Sequence, residues 1–276
     1  VRGSLEWEDF CNMKFPLPSL SRQREIVAEY NVVKDRIALN QRMIDNLEAT
    51  AQAIYKQWFV DFEFPWDFTT NAPSLHGQPY KSSGGKMVWN EELEKEVPEG
   101  WEVLSIQDLI DKNIIYKNQD GNHGELHPKA EDYRKDGVPF IMAKDIQNGF
   151  LNFTTCSYIC EKQAGNLRIQ PAKEGDVLLT HKATMGRVAI VQSGIKKVVL
   201  TPQVTYYRVR NNTLINKEFI YCLFNSFSFQ SQLVGESEQS TRNFLSITNQ
   251  RSLKIVFPQS AEIMGNIKFL IKGLLS

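Results

Sequence analysis

Ile26-Val27-Ala28-Glu29-Tyr30-Asn31-Val32-Val33-Lys34-Asp35-Arg36-Ile37-Ala38-Leu39-Asn40 lies inside a stretch, residues 21–58, whose apolar side chains return every four and then every three positions. The seam reads Ile26, Tyr30, Val33, Ile37, Asn40, Ile44, Leu47, Ala51, Ile54 and Trp58. That is the seven-residue spacing of a coiled coil, narrower than the stripe of an ordinary amphipathic helix. At about 1.5 Å per residue the helix is roughly 57 Å long, well beyond the globular average, and it reads as a spacer. Asn40 is the one polar seam position, and a buried amide there would trade stability for a fixed register. A second apolar line, Val32, Leu39 and Met43, runs beside the seam and needs a cover of its own.

The sequence on either side of the helix repeats. Before it stands Met13-Lys14-Phe15-Pro16-Leu17-Pro18-Ser19, and near the other end stands Lys254-Ile255-Val256-Phe257-Pro258-Gln259-Ser260, again followed by a helical pattern with Ile263, Ile267, Leu270 and Leu274 as its seam. The offset is about 242 residues, too long for a solenoid period, so the unit repeated is a domain plus a helix. Pro16 and Pro18 hold the lead-in extended, and Ser21 is the expected cap of the first helix.

Between the two helices the pattern changes twice. Residues 63–97 read as a linker, with Pro73, Pro79 and Ser82-Ser83-Gly84-Gly85 ahead of an acidic run, Glu91-Glu92-Leu93-Glu94-Lys95-Glu96. Residues 98–258 then carry short β-prone runs at 138–143, 176–180, 187–192, 197–200, 203–209 and 254–257. Helical spacing through Phe219, Ile220, Leu223 and Phe227 predicts one helix over 216–233. The fold class is mixed α/β on a long coiled-coil helix. Its parts are the end of a preceding domain (1–20), the spacer helix (21–62), the linker (63–97), the α/β domain (98–258) and the start of a second equivalent helix (259–276).

These features resemble the specificity subunit of type I restriction-modification systems. The resemblance rests on Phe15-Pro16-Leu17-Pro18 with Arg22-Gln23, the long helix, the exit Trp58-Phe59-Val60-Asp61-Phe62, and Val97-Pro98-Glu99-Gly100-Trp101. It continues through Val138-Pro139-Phe140-Ile141, Gly175-Asp176-Val177-Leu178-Leu179 and Thr184-Met185-Gly186-Arg187-Val188-Ala189, and so covers nearly the whole chain. Family members usually carry two target-recognition domains alternating with two long helices, and the chain begins without Met, so a partial chain is expected. The resemblance implies double-stranded DNA as ligand, a bipartite target, and methyltransferase and restriction subunits as partners. S-adenosylmethionine, ATP and Mg would sit on those partners, with no cofactor in this chain. It also implies that Val32, Leu39 and Met43 dock a partner subunit. Two alternatives keep the DNA-reading role: a half subunit that self-pairs as a homodimer through the long helix, or the recognition part of a fused restriction-methylation enzyme.

Charge agrees once it is read locally. The whole chain balances at 32 basic and 32 acidic residues. Residues 1–100 hold 11 Lys and Arg against 16 Asp and Glu, whereas residues 181–258 hold 10 against 3. A regional basic field suits a polyanion, since each neutralised phosphate releases condensed counterions. The first candidate DNA-binding segment is His181-Lys182-Ala183-Thr184-Met185-Gly186-Arg187, a loop between two apolar strands from which Lys182, Thr184 and Arg187 would reach DNA. The second is Ser240-Thr241-Arg242-Asn243-Phe244, where Arg242 and Asn243 offer the bidentate donors that suit guanine and adenine. Lys144, Gln203 and Arg208 complete the set.

Other chemistries find little support. His123 with His127 and Cys156 with Cys160 have zinc-ligand spacing, but the first pair follows a turn and the second alternates as on a strand edge, so no metal is assigned. No catalytic set, phosphate loop or methyltransferase motif is present. Four scattered cysteines make no disulfide framework, and nothing has the length of a membrane span, so a cytoplasmic location is expected.

Overall fold

A computed structural model of the protein describes residues 6–66, 75–211, 213–238 and 244–275. The chain divides into two compact units, Val1–Leu47 and Glu48–Ser276. The first holds a short helix α1 (Trp7–Asn12) and most of α2 (Leu20–Phe59). The prolines do what rigid φ dictates and keep the lead-in extended. The helix begins one residue earlier than its sequence suggests, because the Oγ of Ser19, and not of Ser21, accepts the Arg22 N–H at 3.4 Å. Gln23 Nε2 donates to the Pro18 carbonyl at 2.8 Å, which ties the first turn to the proline segment. Along this part of α2 the seam residues Ile26, Tyr30, Val33, Ile37 and Leu47 are exposed, as are Val32, Leu39 and Met43 beside them.

The last turns of α2 belong to the second unit and are covered. Ala51, Tyr55, Trp58 and Phe59 are buried and Ile54 is half-buried, so the packed face runs through Tyr55 and Phe59, which lie beside the expected seam. Phe59 stands 5.1 Å from Tyr55, 5.2 Å from Phe219 and 5.4 Å from Trp101, ring centre to ring centre. The chain leaves the helix through Phe62 at φ +62°, a left-handed conformation costly for a side chain with a Cβ. Burial of that ring, 2% exposed, holds it there. Within the segment read as a linker, Phe64, Tyr80 and Val97 are buried, while most of its other described residues are exposed or half-buried. Phe64 stacks on Tyr80 at 4.6 Å and on Trp101 at 5.2 Å, and β1 (Met87–Asn90) pairs antiparallel with β2 (Lys95–Pro98).

The rest of the unit is mixed α/β. In chain order follow β3 (Trp101–Ser105), α3 (Ile106–Asp111), β4 (Gln119–Asp120), β5 (Val138–Ile141), β6 (Ile146–Gln147), β7 (Phe150–Leu151), β8 (Ser157–Ile159) and α4 (Glu161–Gly165). Then come β9 (Val177–Thr180), β10 (Val188–Ile190), β11 (Val199–Leu200), β12 (Val204–Tyr207), α5 (Lys217–Asn225), α6 (Phe227–Glu238), α7 (Ile247–Ser252), β13 (Lys254–Pro258) and α8 (Ala261–Leu275). The main sheet has the order β10-β9-β12-β4 and is antiparallel throughout. A smaller sheet, β11-β5-β8, has β11 parallel to β5. Strand β13, which carries the second Phe-Pro, closes the domain against β3, its Pro258 opposite Trp101.

Two helical expectations are corrected. The helix predicted over 216–233 breaks at Ser226, whose Oγ bonds back to the Leu223 carbonyl at 2.6 Å, and Phe227 opens the next helix 88% exposed. Helix α8 buries Ile263, Met264, Ile267 and Ile271, while Leu270 of the expected seam is 40% exposed and Leu274 half-buried. Packing against α5 selects that face.

Candidate nucleic-acid interface

Strands β9 and β12 pair with Val204 opposite Thr180 at one end and Tyr207 opposite Val177 at the other. Lys182, Thr184, Arg187 and Gln203 therefore follow or flank one end of this strand pair, and Arg208 the other. At the Thr180 end, the His181 N–H donates to the Gln203 carbonyl at 3.0 Å, and Lys182 forms a β-bridge with Phe244. The Lys182 ammonium lies 5.5 Å over the Phe244 ring. Ala183 at φ +65° and Gly186 at φ +82° turn the loop sharply, leaving Lys182 and Thr184 exposed. Gly186 accepts such a turn because it has no Cβ, and one there would meet the Gln230 side chain at 2.2 Å.

Beneath this loop sits His181, fully buried. Its Nδ1 donates to the Leu245 carbonyl at 2.9 Å, which leaves Nε2 as the unprotonated acceptor. Burial pushes its pKa down to about 4, so the ring is neutral at ordinary pH and acts as an anchor for the loop.

Arg187 ends the loop and reaches across to a neighbouring turn. One guanidinium nitrogen donates to the carbonyls of Ala143 at 3.2 Å and Ile146 at 3.1 Å, on either side of exposed Lys144. Arg187 thus both presents charge and fixes the segment carrying Lys144. The following hairpin, β6 to β7, turns through Asn148 at φ +48° and Gly149 at φ +77°, as a two-residue Asn-Gly turn requires. Glu48, Ile146, Gln147, Asn148, Gly149, Arg187, Val188, Tyr221 and Asn225 enclose a groove of about 460 Å³. In it the Tyr221 hydroxyl donates to Glu48 Oε1 at 2.9 Å, and burial beside that carboxylate raises the phenol's pKa.

Arg208 stands at the Val177 end, away from the loop. Its guanidinium makes a two-pronged bond to Asp176, both prongs 2.7 Å, and Asp176 is 1% exposed. The side chain is engaged in holding β12 to the turn before β9, so the structure does not group it with Lys182 and Arg187. Arg242 and Asn243 lie outside the described residues; the next residue, Phe244, is the one that pairs with Lys182. What sequence reasoning passed over is the hairpin over 146–151, although its Asn148-Gly149 signal was there to be read.

The discounted metal candidates have other partners. His123 Nε2 is 2.8 Å from Asp120, and His127 Nδ1 is 3.1 Å from the Asn122 carbonyl. The Cys156 thiol approaches the Phe153 carbonyl, and burial raises its pKa. Among the described residues no three His, Cys, Asp or Glu gather to hold an ion, and no helix is long and apolar enough to cross a membrane.

Comparison with known proteins gives one family. Residues 98–270 match the type I restriction modification DNA specificity domain. Two relatives come from Methanocaldococcus jannaschii. The type I restriction enzyme MjaIX specificity subunit is 24% identical over 249 residues, covering 89% of this chain and 50% of the relative. The MjaVIII specificity subunit is 24% identical over 230 residues, covering 81% and 46%. The chain thus spans about half the length of the curated relatives it matches. Among solved structures, the HsdS subunit from Thermoanaerobacter tengcongensis is similar at a TM-score of 0.46 with 16% identity, covering 99% of this chain and 55% of that one. The type I restriction-modification S subunit from M. genitalium is similar at 0.45 with 15% identity, covering 90% and 54%.

Proposed function

The chain belongs to the family of type I restriction modification DNA specificity domains, and from that premise we propose that it reads one part of a bipartite DNA target for a methyltransferase and restriction complex. The observation that supports this reading is the grouping at the Thr180 end of the main sheet: a turned loop with two cations, a hairpin fixed by Arg187, and Gln203 beside them. Lysines there suit phosphates, while Arg187, Gln203, Arg242 and Asn243 carry the directional donors that read base edges. The chain supplies the address and its partners the chemistry. S-adenosylmethionine, ATP and Mg belong to those partners, which dock along Val32, Leu39 and Met43, and the complex works in the cytoplasm.

The long helix sets the spacing of the target. A second recognition domain at the other end of roughly 57 Å of helix would face DNA about one and a half turns away. The exposed seam of α2 favours one further organisation, in which two copies pair through Ile26, Tyr30, Val33, Ile37, Asn40, Ile44 and Leu47 and rebuild a two-domain reader. Ile54 and Trp58, at the other end of that seam, pack within the domain.

Reconstitution tests the reading. The chain alone should neither methylate nor cut DNA, and adding the methyltransferase subunit of the same system should produce site-specific methylation. Methylation by the chain alone, or unaltered methylation sites after Lys182→Ala and Arg187→Ala are combined in the complex, would overturn it.

A further inference from the structure

Behind Arg208, at the end of the sheet away from the recognition loop, lies a cleft of about 690 Å³ in which none of the loop residues takes part. Its walls carry Lys173, Arg210, Lys217, Lys268 and Lys272 in addition to Arg208. The acidic residues there are mostly engaged: Asp176 with Arg208, Glu174 with Ser193 and the Gly194 N–H, and buried Glu218 3.8 Å from Lys217. No ion pair involves Lys173, Arg210 or Lys272 among the described residues. Lys268 and Lys272 stand four apart on α8, and the Lys268 ammonium donates to the Thr213 carbonyl at 3.2 Å, so both charges lie on the side of the helix that lines the cleft. Arg210 is stacked on Tyr116 at 3.9 Å, and its buried Nε has no hydrogen-bond partner.

We propose that this cleft binds the phosphodiester backbone of DNA beside the bases read at the loop end. The lining argues for a phosphate chain over a protein segment. Protein interfaces are built around apolar and aromatic anchors, whereas here Val209, Ile215 and the ring already under Arg210 are the apolar contributions. Strand β9 with a residue or so at each end spans roughly 20 Å. That distance corresponds to about six base pairs at 3.4 Å per step, so the cleft would grip flanking backbone, independent of sequence. The proposal rests on the DNA-reading role.

The test is equilibrium binding of a random-sequence duplex of about 24 base pairs to the full chain over a salt series. The triple variant Arg210→Ala, Lys268→Ala, Lys272→Ala should lower the slope of log affinity against log salt by about 2.7, near 0.9 for each of three phosphates no longer neutralised. Lys182→Ala with Arg187→Ala should lower it separately, and the two reductions should add. The conservative Lys268→Arg, Lys272→Arg pair should keep the slope if charge is what matters, and a melting curve shows that each variant folds. An unchanged slope in a folded triple variant, with the loop pair still effective, overturns the cleft. So does saturable binding of inorganic phosphate with no change in DNA binding, or loss of an acidic protein partner with DNA binding intact. Failure of the unmodified chain to bind duplex at all would instead overturn the DNA-reading role.

Discussion

Helices α2 and α8 follow the same Phe-Pro lead 242 residues apart, yet they meet opposite fates. In α8 the apolar residues Ile263, Met264, Ile267 and Ile271 are sealed against α5, and Leu270 and Phe269 are left outside. In α2 the stretch from Ile26 to Leu47 has every large apolar side chain exposed or half-buried, and only the last turns, Ala51 to Phe59, are covered. A four-three spacing announces a helix with an apolar stripe. It does not say whether the cover comes from the same chain. The difference separates residues that hold this fold together from residues it leaves exposed.

The largest effect that tests this division is on stability. Phe59→Ala removes a ring packed against Tyr55, Phe219 and Trp101 and should cost about 4 kcal/mol in denaturant unfolding. Ile267→Ala should cost about 3 kcal/mol for the same reason. Ile37→Ala, on the exposed stretch, should cost under about 0.5 kcal/mol in dilute chain. A cost for Ile37→Ala that rises with protein concentration would mean that the stretch is covered by a second copy in solution.

The same distinction divides two arginines. Arg208 answers a carboxylate that is 1% exposed, so Arg208→Ala leaves Asp176 buried with the Lys173 N–H but no opposite charge and should cost about 3 kcal/mol. Arg187 makes two bonds to carbonyls from an exposed position, and Arg187→Ala should cost about 1 kcal/mol while lowering DNA affinity. If the order of these two costs were reversed, Arg187 would be the scaffold residue and the loop end would be without its main cation.

Much of this architecture is local and therefore legible. The long helix, the strands flanking the 181–187 loop and the return strand with Phe257-Pro258 follow from periodicity and proline chemistry. What escapes is set by partners distant in sequence. Nothing near Arg208 announces its bond to Asp176, 32 residues upstream. Nothing near the segment at 63–97 announces that Trp101 will stack on Phe64 and bury that ring. The break at Ser226 is a hydroxyl competing for a carbonyl at the end of a strongly apolar run, a choice that periodicity alone does not resolve.

Acid should expose the anchor beneath the 181–187 loop. His181 is held near pKa 4 when folded, against 6.5 as its ordinary value, so between these limits the unfolded chain binds more protons. Its contribution is thus fully present above about pH 6.5 and lost as pH falls toward 4, a total of about 3 kcal/mol. Replacing it by Phe should flatten the stability curve over that window. An equally steep fall in His181→Phe would assign the acid sensitivity to the carboxylates and leave the loop anchored by backbone bonds alone.

The smallest effect bears on the open side of the comparison. Asn40 is exposed, with Ile37 and Ile44 at neighbouring seam positions. In an isolated chain Asn40→Leu exchanges one solvated side chain for another and should change stability by less than about 0.5 kcal/mol. In a paired helix the same change removes a buried amide, so the pair should melt higher while its register and oligomeric state loosen. Sedimentation and melting at several concentrations separate the two situations. Higher melting together with mixed oligomers would place Asn40 in a seam that a partner helix covers. If both measurements stay unchanged at every concentration, Asn40 faces solvent and the seam drawn through it is wrong.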